Sequence, residues 1–404
     1  GTGSTVEIGS AAAATDLFIA RKTTAKTVSG TVDLSAANSL VAHLGRLFMA
    51  TQSTGDTTGS NTAMLKLGAD NEIHAEHIIL GLVDSGATTT TSATIELGQS
   101  NTIRANTLTI GGGKSTGAVK FADLVTGGVL NLGTEGARVD LNLGYNVPLD
   151  GSWSTGTTAT GHLDGTGGTI HAWLDEVVVG YHKAGSGKGI GALTLEDGIV
   201  VANSILLGDG TGANPGNNKG TIALKGGALR AGSITQGAGQ AVFDWTGGTL
   251  SVDHFGFDLL QANTDGPSTL APGNSTGTTT IDGNYTMNAG TLEIEIAASD
   301  DYDFVMVEGN ATLAGDLNVL LLDDYAPALG AHFDVLQTTG ELDISGLTLT
   351  GDPPGPTFGQ WEMTAIPGAG GDGFLLRLSA VPEPSSAVML VLAVAVLIGW
   401  KRRK

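Results

Sequence analysis

Hydrophobic and polar residues alternate along this chain in short runs closed by Gly or Asn, and the runs recur. Five share one outline: NEIHAEHIILG (71–81), NTIRANTLTIG (101–111), TIHAWLDEVVVG (169–180), IVVANSILLG (199–208) and GALRAGSITQG (227–237). Each sets an aliphatic residue two places before an Ala, continues with alternating apolar positions and ends on Gly. The aligned alanines are Ala75, Ala105, Ala172, Ala202 and Ala231, with weaker copies at Ala42 and Ala137, so a copy recurs about every 30 residues. Alternation of period two predicts strands, and in ATIELGQSNTIRANTLTIGGG (93–113) it turns Ile95, Leu97, Ile103, Ala105, Leu108 and Ile110 inward. One copy has too little core to fold alone; copies stacked at ~4.8 Å bury a continuous interior. The expected fold class is therefore all-β: a right-handed parallel β-helix (β-solenoid) of about seven rungs over residues 1–250. An array of β-sandwiches also alternates, but the period and the Gly/Asn punctuation favour the solenoid. Length variation falls in outer loops such as GDGTGANPGNNKG (208–220).

From about residue 250 the pattern changes. In GTLEIEI, Leu292, Ile294 and Ile296 face one way and Glu293 and Glu295 the other. Leu313, Leu317, Val319 and Leu321 suggest another strand, and Phe333, Val335 and Leu336 a third. The segments LAPGNS, GNYT, GTLEIEI, DYDFVMVEGNATLAGDLNV and ALGAHFDVL, within residues 268–340, resemble the region that follows autotransporter-like repeat arrays in bacterial surface proteins. That resemblance implies a β-rich cap over 251–350, which an open last rung requires if it is not to present unpaired backbone. Residues 351–380 read as an irregular loop followed by a last strand, GFLLRLSAV. An autotransporter passenger would also need a C-terminal barrel of ~10-residue strands, and no such pattern follows.

The chain closes on VPEPSSAVMLVLAVAVLIGWKRRK (381–404). Pro382, Glu383 and Pro384 precede 14 mostly apolar residues, Ala387–Trp400, and then Lys401, Arg402, Arg403 and Lys404. As a helix this run is ~21 Å long against a hydrocarbon core of ~30 Å. Its Val, Leu and Ile residues favour insertion, and Trp400 and snorkelling basic residues extend the fit. The basic tip should stay cytoplasmic, with residues 1–380 on the far side of the membrane. The order of Pro-Glu-Pro, membrane helix and basic cluster resembles the PEP-CTERM sorting signal. The resemblance implies export, recognition and cleavage by an exosortase near the motif, and an attached or released product in bacteria that make exopolysaccharide. The expected partners are exosortase, the membrane through the tail before processing, and exopolysaccharide.

Composition narrows the remaining chemistry. With 63 Gly, aromatics at 5% and no Cys among 404 residues, the chain suits turns and stacked strands and excludes disulfides, thiolate metal sites and a cysteine nucleophile. The net charge is −21, and the 20 acidic residues between Arg230 and Arg377 meet no Lys or Arg. Nucleic acid is disfavoured as a partner, and a solvated anti-aggregating surface is the simplest use of that charge. Asp300, Asp301 and Asp303, and the pair Asp323 and Asp324, are candidate calcium ligands without a calcium-loop spacing.

In IHAEH, His74, Glu76 and His77 are the best local metal look-alike, but on a strand residues three apart point to opposite faces, so both imidazoles should not reach one ion, and the helical zinc-protease spacing is absent. No metal site and no cofactor is expected. Lys66, Arg104, Arg138 and Arg230 are expected about one rung apart; Arg104 and Arg230 directly precede aligned alanines and should point outward in a partial ladder. Asn274, Asn284 and Asn310 match the N-x-S/T pattern. No Ser-His-Asp grouping stands out, and the Trp residues at 153, 173, 245, 361 and 400 are too scattered to predict a sugar platform. The chain reads as a non-enzymatic surface, biofilm-matrix or adhesion protein. A carbohydrate-binding or polysaccharide-cleaving β-helix is the alternative.

Overall fold

The structure is a computed structural model describing residues 4–23, 26–52, 59–83, 91–147, 158–183, 187–273, 275–354, 359–368 and 373–382. It is an all-β parallel solenoid of about 11 turns, 1% helical. It divides into two compact units, one of residues 1–256 with 263–268, the other of 257–262 with 269–404.

In the first unit the rungs form two parallel stacks. Long strands Ser39–Gln52, Asp70–Val83, Ser100–Gly112, Gly168–His182, Gly198–Gly210 and Ala228–Gln236 lie in one. Eight shorter strands, from Val28–Asp33 to Gln240–Trp245, form the other. Alternation lines the interior as the sequence predicts. Ile95, Leu97, Ile103, Leu108 and Ile110 are fully buried and Ala105 nearly so. One inward column of the short stack runs Val32, Leu65, Ile95, Val119, Leu163, Leu193, Ile222, Phe243.

Each long strand bends at a first corner where a residue drops out of the ladder. Leu44 pairs with Ala75 and Arg46 with His77, while Gly45 and Glu76 are skipped; the same gap falls at Asn106, Asp175, Asn203, Gly232 and Asp253. Short polar residues and Gly suit that exposed corner, since they tolerate the bend and hydrogen-bond along it, as Asn203 Nδ2 does to Asp175 Oδ1 at 2.5 Å.

A second corner explains the Gly that closes four of the five repeats; Gly237, which ends the fifth, is not left-handed. Gly81, Gly111, Gly144, Gly180 and Gly208 all hold left-handed φ between 60° and 78°. At Gly180 a Cβ would lie 2.0 Å from the Lys219 carbonyl oxygen. The corner presses on a column of small residues in the short stack, Gly30, Ala63, Ala93, Gly117, Gly161, Gly191, Gly220 and Ala241. At a third corner, buried Asn71 and Asn101 stack, with Asn71 Nδ2 donating to Asn101 Oδ1 at 2.9 Å.

Two expectations need correction. The solenoid has about 11 turns rather than seven. Seven counted only the rungs carrying the Ala signature, whereas the corner needs a fitting inward residue rather than Ala itself, and Leu44, Leu174 and Val252 fill the same column. Accordingly, Ala75 with Ala105 and Ala202 with Ala231 are true neighbours, but Ala42 pairs with Ile73 and Ala172 with Val200, two residues out of the proposed alignment. A slip of two preserves the inward face, so the pattern could not reveal it.

In the second unit, Leu259–Gln261, Tyr285–Met287 and Ala311–Leu321 run parallel, as do Thr278–Ile281, Phe304–Val307 and His332–Thr338. Thr291–Ala298 joins Ala311–Leu321, which pairs in turn with Leu342–Gly351. Leu292, Ile294, Ile296, Leu313, Leu317 and Val319 are buried. Val335 and Leu336 are both buried because the register slips beside them, between Asp334 and Leu336. His332–Thr338 then pairs antiparallel with Phe374–Pro382, and that strand with Gly359–Pro367, so the segment read as an irregular loop holds a strand. The change of direction ends the parallel ladder on that face.

Candidate functional site

The first unit carries a depression on its outer face, at the one-residue corner. In most rungs the corner is tight. In two rungs it is expanded into a hydrogen-bonded turn. Between strands Thr5–Ile8 and Thr15–Ile19, Ser10 N–H donates to Ala13 O at 3.2 Å and Ala13 N–H returns to Ser10 O at 3.0 Å. Between Gly128–Leu132 and Val139–Asn146, Thr134 and Ala137 exchange the same pair of bonds at 2.9 and 3.1 Å. Gly9 and Gly133 open these turns with φ of 69° and 70°, where a side chain would meet backbone oxygens of His43 and Trp173.

Three tight rungs lie between the two turns and form the floor of a saddle of about 460 Å³. With the two turns four rung spacings apart, the saddle is about 19 Å long along the solenoid axis. Ala11, Ala14, Ala75, Ala105 and Ala137 give it a low, weakly apolar lining.

The polar groups come from the outward column before the corner. His43, His74 and Arg104 are register neighbours on consecutive rungs. The two imidazoles stack with centroids 4.9 Å apart and planes 21° from parallel. Glu72, two residues before His74 and so on the same face, meets His74 Nε2 at 2.7 Å. That hydrogen bond holds the Glu72 carboxyl below its ordinary range, with smaller help from His74, His43 and Arg104 charge. One Arg104 N–H donates to Gly133 O and so props the far turn. Arg138 braces that turn from behind, with its guanidinium 5.3 Å from the centre of the Trp173 ring and donating to Leu174 O at 3.1 Å. Glu76 and Asn106 stand at the skipped corner positions and line the same space.

His77, by contrast, is not on the face opposite His74. The corner at Glu76 resets the alternation, so Ile73 and Ile78 point in while His74 and His77 both reach the outside. Arg104 and Arg230 do share the outward column, but Gly133, Trp173 and Val201 separate them. Lys66 belongs to the short stack, 3.5 Å from Glu96.

The remaining candidates have structural roles among the described residues. Asp258, Asn284 and Asn310 form a ladder, each accepting from a backbone N–H one rung on, at 2.7, 2.9 and 2.8 Å. Two of the N-x-S/T sites are therefore framework asparagines; Asn274 lies outside the described residues. Asp303 is buried and accepts from Gly277 and Glu295 N–H groups, whereas Asp323 and Asp324 form an exposed left-handed turn. Among the described residues no three His, Asp or Glu side chains converge as metal ligands. Trp245 is buried and Trp361 packs edge-on against Phe333, while Trp153 and Trp400 lie outside the described residues.

Pro382 ends the last strand, opposite Gly359. Glu383, Pro384, Lys401, Arg402, Arg403 and Lys404, with the expected membrane helix, lie outside the described residues. Among the described residues no helix is long and apolar enough to cross a membrane.

The body thus defines a parallel β-solenoid, a class that presents long regular faces rather than one deep pocket. Residues 380–404 match the PEP-CTERM protein-sorting motif. The chain is therefore an exported, cell-envelope-associated protein subject to exosortase-dependent sorting. A comparison with curated proteins returned no match.

Proposed function

We propose that the chain is a non-enzymatic surface or matrix protein. The solenoid presents polar faces, and exosortase removes the tail and delivers the body to the cell surface or extracellular matrix. The observation that carries this reading is the joining of a sorting motif to a repeat body in which Asn71, Asn101, Asp258, Asn284, Asn310 and Asp303 bind the backbone of their own framework. The acidic surface keeps such chains apart in solution and steers them from nucleic acid. Deleting the chain from its host should weaken surface attachment or matrix cohesion, while purified protein should leave the length of host exopolysaccharide chains unchanged. Shortening of the polymer by the purified protein would overturn the non-enzymatic reading.

A second reading, carbohydrate binding, is favoured by the saddle, which sets hydrogen-bonding side chains along an alanine floor at the rung spacing.

A further inference from the structure

The saddle supports a more specific assignment, which rests on the carbohydrate-binding reading. We propose that it binds an acidic polysaccharide, with the Arg104 guanidinium taking the carboxylate of a uronic-acid residue.

Three features point this way. Arg104 spends one N–H on Gly133 O, and among the described residues its other donors have no partner. Arg46, the other guanidinium beside this corner, is bound by Asp16. Arg104 is thus the cation available in the saddle, on a planar fork that matches a carboxylate. Next to it the His43–His74 stack offers ring edges and nitrogens one and two rungs away, and Glu76 and Asn106 offer an acceptor and an amide for hydroxyls. The alanine floor leaves room for the C–H face of a sugar ring. The two turns bound the saddle along the solenoid axis, so a chain lying along it has about 19 Å, the reach of a few sugar residues.

The same geometry argues against a peptide. The floor strands are paired on both sides, Asp70–Val83 with Ser39–Gln52 and with Ser100–Gly112, so they offer no open edge for strand addition. The floor also lacks a deep apolar pocket for a side-chain anchor. The chain's net charge of −21 works against diffuse capture of polyanions, so binding must be local to this spot.

The test uses the full chain in detergent, titrated calorimetrically with oligogalacturonate at physiological salt. A neutral cello-oligosaccharide and a poly-glutamate peptide of similar length serve as comparisons. Saturable binding of oligogalacturonate alone is expected, with at least a tenfold loss in Arg104→Gln and a smaller loss in Asn106→Ala. Asn106 is exposed and makes no framework hydrogen bond among the described residues, so its variant guards against a collapsed turn in Arg104→Gln. Arg230→Gln, in the same outward column but outside the saddle, should bind as wild type. Absence of saturable binding overturns the proposal. Equal loss in Arg104→Gln and Arg230→Gln would make the effect one of diffuse charge, and equal binding of poly-glutamate would make the site a polypeptide site; either result also overturns it. Tail processing by exosortase is read by mass and is untouched by these outcomes, so this proposal and the surface reading fail separately.

Discussion

Asp303 offers a pH-dependent test of how the second unit is held together. Its side chain is 1% exposed, and its two oxygens accept from Gly277 N–H at 2.8 Å and Glu295 N–H at 2.9 Å. Burial pushes its pKa from 3.8 up to about 7, opposed by those two backbone donors and reinforced by Glu295 and Glu293. In the unfolded chain the same carboxyl titrates near its ordinary value. Between about pH 4 and pH 7 the native state therefore binds a proton that the unfolded state has released, and stability falls as pH rises through that window. Three units at about 1.4 kcal/mol each set an upper limit of about 4 kcal/mol.

Asp303→Asn removes the titration. It also leaves one of the two N–H groups facing an amide donor, so it should be less stable than wild type at pH 4 by about 1–3 kcal/mol. The assay is native-state hydrogen exchange on strand Thr291–Ala298, corrected for intrinsic exchange rates, at pH 4.5 and pH 7.5. Protection should drop with pH in wild type and drop much less in the variant. Wild-type protection that is flat or rising relative to the variant would refute the argument, because it would mean the two N–H bonds outweigh burial and the carboxylate is the preferred buried form.

Three further outcomes follow from the corners and the core. Gly180→Ala forces a side chain into a left-handed φ of 74° and against the Lys219 carbonyl, and should cost at least about 2 kcal/mol, read as a lowered Tm; an unchanged Tm would mean the corner is not tight. Asn101→Ala strips partners from Gly98 N–H, Gly98 O, Val129 O and Asn71 Nδ2 and should cost about 3 kcal/mol in urea denaturation, against under about 0.5 kcal/mol for the exposed Asn106→Ala. Leu193→Ala, in the middle of the short-strand stack and 1% exposed, should cost about 2–5 kcal/mol, while Leu124→Ala, at 97% exposure, should be nearly silent in the same measurement.

Much of the fold was legible because a solenoid repeats its physics. Period-two alternation identified the buried face in each straight segment, and the Gly ending four of the five runs marked a true left-handed corner, at Gly81, Gly111, Gly180 and Gly208 but not at Gly237. What misled was the bend inside a strand. Nothing in IHAEHIIL announces that Glu76 leaves the ladder, yet that one residue brings His77 to the same outside as His74. The saddle was hidden for a related reason. It depends on His43, His74 and Arg104 becoming neighbours across rungs, and on two turns, Ser10–Ala13 and Thr134–Ala137, that stand out only once the intervening corners are seen to be tight. The turn count fell short because the later rungs use Asp258, Asn284 and Asn310 at a corner instead of the alanine signature. The tail was legible at once, since its order of motif, apolar run and basic tip depends on sequence alone.

Under the proposed function the tail is a processed address for the solenoid body. The most direct test of that reading is the intact mass of the surface-associated or secreted protein from hosts with and without exosortase. Loss of about the last 20 residues is expected only where the enzyme is present. A full-length chain held in the membrane of both hosts would contradict it.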